Sequence, residues 1–167
     1  MNEKLKLENQ LCFPLYVCAK EIVRRYTPFL EPLGLTYTQY IVMMVMWEYK
    51  SICVKDMGKL LFLDSGTLTP MLKKMEKAGW IQRKRSENDE RVVVITITAK
   101  GEKLHDEAAE VPVKMAGCLT LESDEAMQLY VLLHKLMKTC FNGLSDSEKE
   151  GIRQNCRQVL SQDSFTA

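Results

Sequence analysis

The sequence predicts a mainly α-helical fold with one small β-hairpin: a winged helix-turn-helix flanked by N- and C-terminal dimerisation helices. Three observations predict it. Apolar residues recur at helical spacing on both sides of a central block. Inside that block, Leu68, Met71, Leu72 and Met75 repeat at i, i+3, i+4 and i+7, burying one face and leaving Ser65, Thr67, Lys73 and Lys74 more exposed. Directly after it, two β-rich runs over residues 80–84 and 92–98 are joined by the turn-forming stretch Ser86-Glu87-Asn88-Asp89-Glu90.

Each element follows from local chemistry. Residues 9 to 33 carry Leu15, Cys18, Ala19, Ile22, Tyr26, Phe29, Leu30 and Leu33 at helical spacing and are expected as one long helix, which Gly34 can end. Thr36-Tyr37-Thr38-Gln39-Tyr40 opens a second helix, whose Ile41, Val42, Met44, Val45 and Trp47 make it apolar on most sides and therefore buried. Ser51-Ile52-Cys53 suits a single edge strand. Residues 55–62, with Met57, Leu60 and Leu61, form the first helix of the helix-turn-helix, and Leu63-Asp64 its turn.

Pro70 sets a conflict in the next helix, because an interior proline loses a hydrogen bond and costs about 3 kcal/mol. Local rules place it at the first helical position after a Thr69 cap. Ala78-Gly79 closes this helix, and the hairpin that follows is the wing. Thr98-Ala99-Lys100-Gly101-Glu102 opens a further helix, and Ser123-Asp124-Glu125 caps another that carries Met127, Leu129, Tyr130, Leu133, Leu136, Met137 and Cys140. A last amphipathic piece covers residues 147–160. The terminal helices offer more apolar surface than one small domain needs, which predicts a homodimer. The expected single domain divides into supporting and dimerisation helices (9–50), the winged block (51–98), C-terminal dimerisation helices (99–143) and a helical tail (144–167) without an assigned role.

Composition bounds the function. With 167 residues, 46% hydrophobic and 27% charged, the chain suits one domain with a full core. It has no apolar run of 18 residues, and Glu8, Asn9 and Gln10 stand where a secretory signal needs an apolar core, so a cytoplasmic protein with no membrane partner is expected. Net charge is +1, but residues 73 to 85 hold six basic residues, Lys73, Lys74, Lys77, Arg83, Lys84 and Arg85, against Glu76 alone. This local +5 sits where a phosphate backbone would lie on a helix-turn-helix, predicting a double-stranded DNA partner. Charge alone would equally suit a solvated helix face beside a lysine-guarded hairpin edge. Six cysteines (Cys12, Cys18, Cys53, Cys118, Cys140, Cys156) without a C-x-x-C, and only two histidines, predict neither metal nor cofactor. In a reducing compartment each cysteine is either a small buried hydrophobe or a chemically poised thiol.

The segment Leu63-Asp64-Ser65-Gly66-Thr67-Leu68-Thr69-Pro70-Met71-Leu72-Lys73-Lys74-Met75-Glu76, the wing tip Asp89-Glu90-Arg91 and the stretch Asn9-Gln10-Leu11-Cys12-Phe13 together resemble the MarR family of bacterial transcriptional regulators. They are most similar to its organic-hydroperoxide-sensing OhrR branch and to related staphylococcal thiol-based global regulators. The resemblance covers residues 9 to about 140. It implies an α-helical homodimer with one winged helix-turn-helix per subunit, and a recognition helix that begins near Ser65 in spite of Pro70. Ser65 and Thr67 match positions that approach bases or phosphates, and Lys74 matches a basic position on the same helix, with Lys73 and Arg85 adding charge beside them. Arg91 matches the arginine inserted in the minor groove, where negative potential concentrates, and Asp89 the acid that orients it.

The resemblance also implies a sensor. Cys12 matches the oxidisable cysteine; a thiolate attacks a peroxide, and a helix N-terminus stabilises that anion. Pro14 suits the first turn of a helix, so the helix is expected to start just after Cys12 and to leave the sulfur near its positive end. Tyr26 and Tyr37 match tyrosines whose hydroxyls reach the reactive sulfur from either subunit. Cys118 resembles the second cysteine of the two-cysteine branch, which resolves a sulfenic acid as an intersubunit disulfide. Cys18 lies about 240° around a helix from Cys12 and cannot bridge to it; Cys18, Cys53, Cys140 and Cys156 are expected to be structural or incidental. Pro14 departs from the small residue usual in the family, and the tail beyond residue 142 is longer than the usual family end.

The resulting expectation is a non-enzymatic repressor on an inverted-repeat operator, its recognition helices about 34 to 36 Å apart. Oxidation of Cys12, followed by a disulfide to Cys118 or to a small thiol, would release it. Three alternatives use the same residues: a regulator triggered by a small aromatic or lipophilic ligand, a thiol peroxidase with Cys12 catalytic, and an interaction module that has lost DNA binding.

Overall fold

Two prolines and two amide side chains decide the extent of the first helix. In the computed structural model, which describes residues 2–86, 89–140 and 143–162 (side chains of 155 and 157–162 excepted), helix α1 spans Cys12–Leu30. The single helix expected over residues 9–33 is therefore shorter at both ends. On the N-terminal side, Asn9 Nδ2 donates to the Glu3 carbonyl (2.9 Å) and Gln10 Nε2 to the Lys4 carbonyl (2.7 Å), folding the preceding residues into two 3₁₀ turns, Glu3–Leu5 and Leu7–Asn9. On the other side, Pro28 and Pro32 lack the N–H that an α-helix needs, and the chain tightens into a 3₁₀ turn at Glu31–Leu33. Gly34 ends it at φ +70°, a left-handed conformation that favours glycine.

Helix α2, Tyr37–Tyr49, starts from a capping box. The Gln39 N–H donates to Thr36 Oγ1 (3.4 Å), and the Thr36 N–H donates to Gln39 Oε1 (2.9 Å). Strand β1 (Ser51–Cys53) leads into α3 (Val54–Leu61), α4 (Ser65–Lys77), β2 (Ile81–Arg85), β3 (Val93–Ile97), α5 (Ala99–Ala108), α6 (Val111–Ala116), α7 (Ser123–Cys140) and α8 (Asp146–Gln162). The sheet is antiparallel in the order β1-β3-β2, so Ile95 faces Ile52 on one side and Arg83 on the other. Glu87 and Asn88 of the expected wing loop, and residues 163–167 of the expected tail, lie outside the described residues.

The core lies where α2, α3, α4 and the sheet meet. Met43, Met46, Met57, Met75 and Ile95 have no exposed surface. Methionine's flexible thioether fills irregular gaps between helices, and each such burial stabilises by about 1.5–3 kcal/mol. Helix α5 also packs here, burying Leu104 and Ala108, while Trp47 Nε1 donates to the Gly101 carbonyl (2.9 Å).

Helices α1 and α7 are different. α1 buries only Leu30 and α7 buries nothing, yet both are rich in apolar side chains. Leu11 (73% exposed), Tyr16 (64%), Met127 (62%) and Leu132 (58%) stand in the open. The accessible surface, 12020 Å², far exceeds the roughly 8400 Å² of a compact monomer of this mass. Such a face is what a second copy of the chain covers in a homodimer. Among the described residues, no helix is long and apolar enough to cross a membrane.

Candidate nucleic-acid interface and sensor site

Helix α4 starts at Ser65 because Asp64 caps it: its Oδ1 accepts from the Thr67 N–H (2.8 Å) and its Oδ2 from the Thr67 hydroxyl (3.1 Å). The local reading, with Thr69 as cap and Pro70 first, is thereby corrected. Pro70 sits inside the helix, but on its exposed side, where water can satisfy the Gly66 carbonyl that Pro70 leaves unbonded. Burial of Leu68, Leu72 and Met75, all at most 1% exposed, outweighs the proline cost of about 3 kcal/mol. Ser65, Thr67, Lys73 and Lys74 are all exposed, as the burial of the apolar face predicts.

The wing tip is a built turn. The Asp89 carboxylate accepts from Arg91 Nε (3.0 Å), Arg91 Nη2 (3.2 Å) and the Arg91 backbone N–H (3.0 Å), which fixes the guanidinium while leaving the side chain 90% exposed. Arg85 Nη1 donates to the Glu90 carbonyl (2.8 Å), bracing the wing from the opposite strand. Arg83 is turned to an internal task. Its Nε and Nη2 pair with Glu76 Oε2 (2.9 and 2.8 Å), tying β2 to α4, so the local positive charge offered outward is smaller than the count over residues 73–85 suggests.

A cleft of about 750 Å³ opens between α3, α4 and the wing. Ser65 and Arg91, both expected at DNA, line it together with Lys55, Lys59 and Thr69, which spacing rules on α4 did not reach. The signal for the two lysines was present: four residues apart on α3, they share a face.

The carboxyls of both acids are held below the usual carboxylate range. For Asp64 the cause is first the Thr67 backbone N–H and then its hydroxyl; for Asp89 it is first the Arg91 side chain and then its backbone N–H. A depressed carboxylate contributes stability above its unfolded-state value, and that contribution is lost as pH falls through the folded one. The thermal midpoint is therefore expected to drop as pH falls below about 4. Asp64→Asn keeps the cap without the titration and is expected to show a shallower decline in a calorimetric pH series.

The expected sensor residues separate into two groups. Cys12 is the first residue of α1 and is exposed, beside an N-terminus that has no side-chain cap and, at Pro14, no N–H. Tyr26 and Tyr37 meet with ring centroids 4.9 Å apart, and Tyr40 lies 5.9 Å from Tyr26. Burial raises all three phenols above the ordinary tyrosine value, so they remain protonated hydrogen-bond donors. Tyr26, however, stands fourteen residues from Cys12 on the same helix, about 21 Å away. Cys118 belongs with the tyrosines: its carbonyl accepts from Arg25 Nη1 (2.9 Å), next to Tyr26, and its sulfur donates to the Lys114 carbonyl (3.4 Å). One subunit thus gathers Tyr26, Tyr37 and Cys118 at one end of α1 and leaves Cys12 at the other. Cys53 and Cys156 are thiols whose ionisation burial opposes, Cys156 being pushed up to about 11.

A family model described as transcriptional regulator SarA/Rot matches residues 24–108, from the second half of α1 through α5. The chain belongs to this SarA/Rot family of MarR-like winged-helix regulators. Among curated relatives of this SarA/Rot member is the organic hydroperoxide resistance transcriptional regulator of Bacillus subtilis (strain 168). It is 45% identical over 137 residues, covering 82% of this chain and 93% of that protein. The HTH-type transcriptional regulator SarZ of Staphylococcus aureus (strain NCTC 8325 / PS 47) is 39% identical over 140 residues, covering 84% and 95%. A solved structure of reduced AbfR bound to DNA superposes with a TM-score of 0.73 at 33% identity, covering 84% of this chain and 96% of that one. AbfR, of Staphylococcus epidermidis, is also solved overoxidized on DNA and with a disulfide formed; TM-scores are 0.68 and 0.60. The SarA/Rot chain is accordingly a DNA-binding transcriptional regulator and not an enzyme, which sets aside the thiol-peroxidase reading.

Proposed function

We propose that this regulator is a cytoplasmic repressor that senses organic hydroperoxides or related oxidants at Cys12 and then releases an inverted-repeat operator. The division of the sensor residues along α1 carries the reading. A bridge needs Cα atoms within about 7 Å, and Cys12 lies about 20 Å down α1 from the Arg25 that holds Cys118. Cys12 and Cys118 of one subunit therefore cannot join. A two-fold axis that lays α1 antiparallel to its counterpart puts Cys12 of each subunit at the tyrosine and Cys118 end of the other. The protonated hydroxyls of Tyr26 and Tyr37 then replace, as donors to a Cys12 thiolate, the N–H that Pro14 lacks.

The chemistry balances. The Cys12 thiolate attacks the terminal oxygen of the hydroperoxide; the O–O bond breaks, an alcohol leaves after protonation, and Cys12 becomes a sulfenic acid. The thiolate of the partner subunit's Cys118 attacks that sulfur, the S–O bond breaks, hydroxide leaves and takes up a solvent proton to become water, and a disulfide closes across the dimer. Two such bridges per dimer pull α1 against α6 and shift the reading lobes apart. In AbfR an overoxidized form is found on DNA and a disulfide form is known separately; by analogy, the bridge rather than the added oxygen drives release.

The test is a gel shift on DNA upstream of the protein's own gene, with and without an organic hydroperoxide, for the wild type, Cys12→Ser and Cys118→Ser. The wild type is expected to release DNA and to run as a covalent dimer on a non-reducing gel. Cys12→Ser is expected to do neither. Release of Cys12→Ser at wild-type peroxide concentrations would remove Cys12 from the mechanism. That outcome would favour a second reading, supported by the apolar floor of the cleft (Val54, Phe62, Leu63, Leu68, Leu72) under its basic rim: a lipophilic anion held between α3, α4 and the wing.

A further inference from the structure

Helix α8 takes no part in the reading helix, the wing or the sensor residues, yet it is firmly held. The turn before it is closed from both sides. The Gly143 N–H donates to the Met137 carbonyl (2.9 Å), an approach so close that a Cβ at Gly143 would lie 2.8 Å from that oxygen. The Ser145 N–H donates to Glu148 Oε2 (2.8 Å), and the Glu148 N–H donates to Ser145 Oγ (3.3 Å), a second capping box. α8 then runs back against β1. Ile152 and Cys156, each 5% exposed, enter the core, and Arg153 Nη2 and Nε donate to Glu48 Oε1 on α2 (2.8 and 3.3 Å).

We propose that α8 is a brace that fixes the angle between the dimerisation helix α7 and the DNA-reading lobe, and so sets which spacing of operator half-sites the dimer accepts. α7 buries none of its residues in its own subunit. Among the described residues, without α8 it meets the lobe through the segment after α5 and along a shallow seam where His134, Met137 and Lys138 face Lys59, Leu60 and Phe62, a seam that buries no α7 side chain and so holds the angle weakly. α8 supplies a firm second attachment. The lever matters because α7 has 18 residues, about 27 Å; a swing of about 10° moves its far end by about 5 Å, more than the 3.4 Å or so per base pair of DNA. An unbraced dimer would accept half-sites one base pair nearer or farther; a braced one discriminates against them. Arg153 and Ile152 are positioning residues that act through α2 and the core.

The experiment uses full-length, reduced protein and a duplex carrying the inverted repeat that the protein selects from random DNA, with the half-site spacing native, lengthened or shortened by one base pair. Docking of α8 is read independently by maleimide labelling of Cys156, located by peptide mass. The wild type is expected to protect Cys156 relative to the same protein in denaturant and to prefer native spacing by about ten-fold or more. In Ile152→Asp, Cys156 is expected to label rapidly and the spacing preference to shrink to within about three-fold, with native-spacing affinity and its salt slope little changed. Arg153→Glu is expected to do the same in part, and the swap Glu48→Arg with Arg153→Glu to restore the preference. If Ile152→Asp does not fold, the charge pair alone carries the test. Undiminished spacing preference in variants whose Cys156 has become reactive would overturn the proposal, as would wild-type Cys156 labelling as fast as in the denatured protein.

Discussion

Gly101→Ala is expected to lower stability by on the order of 3 kcal/mol, a fall in thermal midpoint of about 6–12 °C for a chain of this length. Gly101 is the third residue of α5, and a Cβ there would sit 2.2 Å from the Trp80 carbonyl oxygen and 2.9 Å from Ile97 Cγ1. Neither neighbour can step aside cheaply. The Trp80 carbonyl is engaged by the Thr98 N–H (3.0 Å), the Gly101 N–H donates to Thr98 Oγ1 (3.1 Å), and the Gly101 carbonyl accepts from the Trp47 indole (2.9 Å). Moving α5 to admit a methyl group breaks this joint between the wing, α2 and α5, so operator affinity is expected to fall along with stability. Gly151→Ala is the control. It makes the same chemical change inside α8, where a Cβ meets nothing within 4 Å, and is expected to raise stability by about 0.5–1 kcal/mol through helix propensity. Differential scanning calorimetry of the two variants decides the matter by sign; a Gly101→Ala midpoint within 2 °C or so of wild type would mean that the joint yields.

The helix-turn-helix and wing were legible because their determinants are local. The i, i+3, i+4, i+7 burial of α4, the Thr36 and Thr98 caps and the turn residues of the hairpin all act within a few positions. Pro70 shows where local rules stop: its position was settled by a carboxylate six residues earlier and by core burial, and of these only the cap is a short-range signal. Arg83 looked like a free cation in a basic run, and its Glu76 partner seven residues away lies across a helix-to-strand junction that no helical or strand spacing connects. Lys55 and Lys59 were legible as a shared face of α3, but not as part of the cleft, because three elements build it. The sensor was the least legible part, since residues that match a single family site fall at opposite ends of one helix within a subunit, a separation that no local spacing rule bridges.

Arg91→Ala is expected to weaken operator binding by at least about ten-fold, within the 1–3 kcal/mol that a groove-inserted arginine contributes, and to reduce the salt slope of binding by about 1 per subunit. The exposed guanidinium at the wing tip has no packing role, so thermal stability is expected to fall only by the small contribution of its surface pair with Asp89. Asp89 distinguishes an aimed arginine from a merely positive wing. An isolated carboxylate beside a phosphate backbone repels it, so if charge alone mattered, Asp89→Ala would tighten binding. Asp89 instead holds Arg91 through two guanidinium contacts and the backbone N–H, and losing that grip releases the side chain into many rotamers that must be frozen again on the DNA. Asp89→Ala is therefore expected to weaken binding although it removes a negative charge. Arg91→Lys is expected to keep most of the salt slope yet lose affinity, because an ammonium cannot match the carboxylate fork. Tighter binding by Asp89→Ala across a salt titration would show that the wing contributes charge and not orientation, and it would remove Asp89 from the interface.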